Sequence, residues 1–150
     1  MATIEEEIKS KFENDHQKAI VNILFTANWI KNIHSDTLKK YDITTQQYNI
    51  LRILRGAKDW MAMNDVKGRM IEKSPNTTRL ADKLITAEYV ERRRCDDDRR
   101  VVYVQITKKG LDILKKMDGD KNFDLTDQVM KKFSKKEAKK ISILLDQLRG

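Results

Sequence analysis

The chain has 150 residues, which fits one domain with a real core. Hydrophobic residues make up 39% and charged residues 36%, and no apolar run approaches the ~20 residues of a membrane-spanning helix, so disordered and transmembrane-helix classes are excluded. The net charge of +8 comes from 31 Lys and Arg against 23 Asp and Glu, and it is unevenly spread: net −1 over residues 1–43, +4 over 44–106 and +5 over 107–150.

A field of that sign draws polyanions, and nucleic acid is the commonest partner of a small basic protein. The acidic start, with Glu5, Glu6 and Glu7, argues against an export signal, which begins basic. One Cys cannot form an internal disulfide. A cytoplasmic location is expected.

Residues from about Ile4 to Ile33 hold no Gly or Pro, and Ile8, Phe12, Ala19, Ile23, Ala27 and Ile30 recur at helical spacing. Val21, Leu24, Phe25 and Trp29 add a second apolar side, which must also be covered. A partner chain or the internal core could cover it, and the pattern alone favours neither.

Residues 34–43 read as a polar connector. Thr44 and Gln47 have the spacing of a capping box, and a short second helix follows with Tyr48, Ile50, Leu51 and Leu54 on its apolar side, closing at Gly56. Trp60 and Met61 suggest a minimal strand. Asn64 to Ile71 reads as a third helix, with Val66, Met70 and Ile71 facing inward.

Ser74 is expected to cap a fourth helix, with Pro75 at its first position, where the missing N–H costs nothing. Leu80, Leu84 and Ile85 form its buried side, and Asn76, Thr77, Thr78 and Arg79 lie on its first turn and a half. Two helices joined by a brief turn make a helix-turn-helix, which enters the major groove by the N-terminal residues of its second helix. Arg79 could bridge two acceptors on guanine. Taken alone, such a pattern also fits ordinary capping chemistry beside a solvated Arg.

A hairpin follows. Val90 on one strand, and Val102, Val104 and Ile106 on the other, have strand spacing, with Val101 and Tyr103 on the alternate face. Asp96, Asp97 and Asp98 at the tip stand among Arg92, Arg93, Arg94, Arg99 and Arg100. Asp98 is expected to pin one Arg by a bidentate contact, leaving another to extend into a minor groove. Thr107 caps a further helix that runs from Leu111 through Phe133 despite Gly119. Ser134 and Glu137 form a second capping box, and Ala138, Ile141, Leu144, Leu145 and Leu148 stripe the last helix. Six lysines crowd the joint at 131, 132, 135, 136, 139 and 140; they read as a solvated face that also pulls on phosphates.

The order of elements resembles the MarR (multiple antibiotic resistance regulator) family of transcription factors. The residues carrying the resemblance are Thr44 with Gln47, the Ser74–Leu84 helix, and Asp98 and Arg100 followed by the alternating strand, Thr107 and Gly110. The fold class expected is mainly α with a β-hairpin wing: a winged helix-turn-helix of six helices. The resemblance implies a homodimer that binds a near-palindromic stretch of double-stranded DNA. Residues 1–43 and 107–150 would supply the dimerisation helices, and 44–106 the DNA-binding module.

It places Ser74, Pro75, Asn76, Thr77, Thr78, Arg79 and Lys83 on the recognition helix and Asp98, Arg99 and Arg100 on the wing. It implies a repressor released by a small aromatic or amphipathic effector, for which Trp29, His34, Tyr41, Tyr48 and Trp60 are candidate pocket residues, although ordinary core packing also accounts for each.

Two departures stand out. The family often has Gly in the turn before the wing, where this chain has Ala87, Glu88 and Tyr89. Cys95 stands among acids that would raise its thiol pKa and blunt a redox role. His16 and His34 are far apart, so no metal site is expected, nor any cofactor or enzymatic activity. The rival reading from another class is a winged-helix module that binds protein and not DNA.

Overall fold

The structure is a computed structural model that describes residues 2–94 and 100–150. Among the described residues, eight helices and three strands follow in the order α1 (Ile4–Ile8), α2 (Asp15–Lys39), α3 (Thr45–Ala57), β1 (Met61–Ala62), α4 (Met63–Arg69), α5 (Thr77–Thr86), β2 (Val90–Arg94), β3 (Val102–Ile106), α6 (Lys108–Asp118), α7 (Leu125–Met130) and α8 (Lys135–Arg149). The winged helix-turn-helix class is as expected, but the helix count is higher because two expected helices are broken.

The first break lies between Ile8 and Asp15. Thr3 and Glu6 close a capping box around α1, Lys9 ends it in the left-handed region at φ 52°, and the Asn14 side chain accepts the Gln17 N–H at 2.9 Å to start α2. Helix α2 then runs through most of the expected connector as far as Lys39. The second break falls at Gly119. Asp120 accepts the Tyr41 hydroxyl at 2.8 Å and pairs with Lys40, tying the turn to the end of α2, and Asp124 caps α7. These contacts hold the Asp120 carboxyl at a pKa of about 2, the Lys40 ammonium being the main cause.

The three strands form an antiparallel sheet in the order β1-β3-β2, with Met61 opposite Val104, Val90 opposite Ile106 and Arg94 opposite Val102. One sheet face meets α3 and α5. Ile50, Leu51, Leu54, Val66, Leu84, Val90, Val104, Leu114 and Met117 are all but fully buried there, so the core lies in the central module. Such burial is the main favourable term holding the module together.

The flanking helices differ. Only Leu38 of α2 is buried, and no residue of α7 or α8 is. Leu24 is 65% exposed, Trp29 46%, Leu144 54% and Leu148 64%, so a single chain leaves both apolar stripes open.

Ile71 was expected to face inward and is 91% exposed. Helix α4 stops at Arg69, and Met70 turns extended at ψ 135°, which reverses the direction of the next side chain. The Ile71 N–H donates to Asn49 Oδ1 at 2.9 Å.

Candidate nucleic-acid interface

Helix α5 begins two residues later than the sequence suggests. Ser74 does not cap it. Its Oγ accepts the Asn76 N–H at 3.1 Å, and its carbonyl accepts the Thr77 hydroxyl at 2.7 Å, so residues 74–76 form a separate turn with Pro75 outside the helix. Asn76 occupies the N-cap position without a side-chain capping bond. Thr77 is 1% exposed, and its hydroxyl is spent on the turn, so it cannot face a groove as expected. Asn76, Thr78, Arg79 and Lys83 are exposed. Thr78, Arg79, Asp82 and Lys83 share one side by the helical repeat, opposite the side that buries Ala81 and Leu84. Among the described residues, Arg79 and Lys83 have no ion-pair partner.

The wing is held on both faces of its sheet, by that helix on one and by an aromatic ring on the other. Arg92 Nη1 reaches Asp82 Oδ1 at 2.9 Å, linking β2 to α5 on the face that carries Val90 and Val104. On the other face, the Arg93 guanidinium stands 4.5 Å from the centre of the Trp60 ring and 5.8 Å from that of Tyr103. A cation over an aromatic face is held by the ring quadrupole, which orders both the strand and the side chain. Thr78, Asp82, Arg92 and Arg100 line a crevice of about 270 Å³ between helix and wing. Arg100 is exposed. Asp98 and Arg99, with the expected Asp–Arg pin and Cys95, lie outside the described residues.

The base of the wing is built without Gly at the turn. Glu88 takes the left-handed conformation at φ 62°. The Glu88 carbonyl accepts the Thr107 hydroxyl at 2.7 Å, the Tyr89 carbonyl accepts the Thr107 N–H at 3.0 Å, and Lys109 pairs with the Glu88 carboxylate at 2.8 Å. Lys109 holds that carboxyl below its usual range. These contacts offset the cost of a non-Gly residue in this region of backbone space.

A second cavity, a cleft of about 850 Å³, lies between α2, α3 and the α6–α7 turn. His34 and Tyr48 line it, as does Phe123, with ring centres 5.1 Å (His34–Tyr48) and 5.3 Å (Tyr48–Phe123) apart. Burial lowers the His34 pKa. Trp29, Tyr41 and Trp60 do not line the cleft: Trp29 lies on the open face of α2, Tyr41 packs against Phe123, and Trp60 sits under the wing. Phe123, Lys31, Arg52 and Glu72 were missed. Their placement depends on the break at Gly119 and on pairings across the fold, such as Lys31 with Glu72 at 3.1 Å, which spacing along the chain cannot show.

A helix-turn-helix whose second helix is braced by a three-stranded wing defines a winged-helix protein. Residues 32–117, more than half of the chain, match the family described as transcriptional regulator SarA/Rot, and the chain belongs to that family, which is of the MarR type. A 42-residue stretch is 43% identical to the transcriptional repressor MprA of Escherichia coli K12; this is 28% of the chain but only 24% of that protein's length.

Among solved structures, a mutant of Escherichia coli MarR in complex with operator DNA superposes with a TM-score of 0.80 at 23% identity, covering 93% of this chain and 99% of that one. A MarR-like transcription regulator of Bacillus cereus gives 0.79 at 20% identity, covering 90% and 96%. At these identities the likeness is one of fold. No helix among the described residues is long and apolar enough to cross a membrane.

Proposed function

We propose that the chain is a homodimeric, sequence-specific binder of duplex DNA that represses transcription and is released by a small aromatic or amphipathic effector. The observation that carries the reading is the outward side of α5, where Thr78, Arg79 and Lys83 stand unburied beside a wing that supplies Arg92 and Arg100. An Arg there can make paired bonds to guanine, and neighbouring cations and hydroxyls can hold phosphates.

Two copies joined through the open stripes of α2 and α8 would cover Leu24, Trp29, Leu144 and Leu148 and present two such helices to successive major grooves. The cleft beside His34, Tyr48 and Phe123 joins α2 to the winged module, so an effector there would act by favouring one spacing of the two helices over another.

Selection of bound fragments from random duplexes tests the reading. The expected product is a two-fold symmetric sequence whose binding weakens steeply with salt. Salt-insensitive capture of a protein, with no duplex selected, would establish the rival interaction module instead.

A further inference from the structure

The ten residues 131–140 hold six lysines and one glutamate, and so carry five of the chain's net eight positive charges. They join the end of α7 to the first turns of α8. All six lysines are exposed, and none pairs with a carboxylate among the described residues. Of the fifteen lysines elsewhere, Lys18, Lys31, Lys39, Lys40 and Lys109 pair with a carboxylate among the described residues and the other ten, like these six, do not; what sets the joint apart is six of them within ten residues. The single acid, Glu137, is consumed by the capping box: its carboxylate accepts the Ser134 N–H at 2.8 Å and the Ser134 hydroxyl at 2.7 Å.

This arrangement runs against helix electrostatics. The N-terminal end of a helix carries partial positive charge and favours acids. Helix α8 instead places Lys135, Lys136, Lys139 and Lys140 in its first two turns. Lys135 with Lys139, and Lys136 with Lys140, are like-charge neighbours one turn apart, which repel. A chain that breaks a local rule without an internal compensation tends to do so at a functional surface. At 100° per residue these lysines also turn away from Ala138, Ile141, Leu145 and Leu148, so covering the apolar stripe leaves them outward.

The structure assigns to this joint the binding of a second stretch of duplex DNA, through its phosphates and without base preference. Two helices, α6 and α7, lie between it and the wing along the chain. Strand β3 runs from Val102 to Ile106, α6 is about 16 Å long, and α7 packs on α2. Six unpartnered ammonium groups, with no planar fork or pocket among them, suit the repeated point charges of a phosphate backbone. The assignment rests on the proposed function only for the identity of the polyanion.

The test uses a random-sequence duplex and four forms of the full chain: wild type, Arg79→Ala with Arg100→Ala, a form with Lys132, Lys135, Lys136 and Lys139 each changed to Gln, and the combination, each verified as folded by circular dichroism. The Arg form is expected to keep salt-dependent duplex binding, and the four Gln changes to reduce the slope of log affinity against log salt by about 2–4. An immobilised duplex should also retrieve a second, labelled duplex with wild type and not with the Gln form.

An unchanged slope and unchanged retrieval in the Gln form would overturn the assignment. So would a Gln form that loses only its binding to vesicles of anionic phospholipid. Should the Arg form match wild type on a selected site while the Gln form loses all duplex binding, the recognition-face reading fails and the joint stands.

Discussion

Replacing Gly110 with Ala should loosen the wing at its base. A Cβ at that position would lie 2.2 Å from the Tyr89 carbonyl oxygen and 2.7 Å from Ile106 Cγ1, far inside contact distance. The carbonyl cannot retreat freely, because it accepts the Thr107 N–H at 3.0 Å, and the Gly110 N–H itself donates to Thr107 Oγ1 at 3.0 Å. Overpacking costs about 1–3 kcal/mol. A weakened hydrogen bond adds about 1 kcal/mol. The better helix propensity and lower unfolded-state entropy of Ala return about 1 kcal/mol.

The net loss of about 1–3 kcal/mol corresponds to a fall in Tm of roughly 2–12 °C for a chain of this size. Thermal unfolding followed by circular dichroism reads it directly. Gly68→Ala in α4 is the control, since nothing lies within 4 Å of its added methyl, and it should melt at or above the wild-type temperature. A Gly110→Ala chain that melts within a degree of wild type, or a Gly68→Ala chain that falls as far, would refute the reasoning.

Three further outcomes are expected. Arg79→Ala should weaken binding to a selected duplex by roughly 1–3 kcal/mol and flatten base preference at one position, as read by competition with single-base variants. Glu88→Gly should raise Tm by about 2–4 °C, because Gly adopts φ 62° without strain and the exposed Lys109 contact is worth little. Burial holds the His34 pKa below its ordinary 6.5, so the unfolded chain takes up a proton that the folded chain resists. Stability is therefore full above pH 6.5 and falls as the pH drops towards the folded value; His34→Gln should flatten that part of a Tm–pH profile.

Most of the central module was legible because its signals are local. The Thr44–Gln47 and Ser134–Glu137 boxes start α3 and α8 as their spacing requires, and the alternation from Val102 to Ile106 gives the strand whose partners are Met61 and Val90. The helix breaks were not legible, since apolar spacing continues across residues 9–14 and across Gly119, where tertiary contacts to Lys40 and Tyr41 decide. Thr77 and Ile71 failed for a related reason: a helix that starts or stops a few residues from its expected place rotates every side chain near its end. Pairing across the fold placed Trp60 under Arg93 instead of in the cleft.

That stacking has a practical consequence. The chain has two tryptophans, one beneath a wing guanidinium and one on the open side of α2. Their fluorescence reports on separate events. The indole of Trp29 sees water until its surroundings become apolar, while that of Trp60 senses whether a neighbouring cation stays in place. With one of the two changed to Phe, the native chain becomes its own optical probe of either motion, without an attached dye.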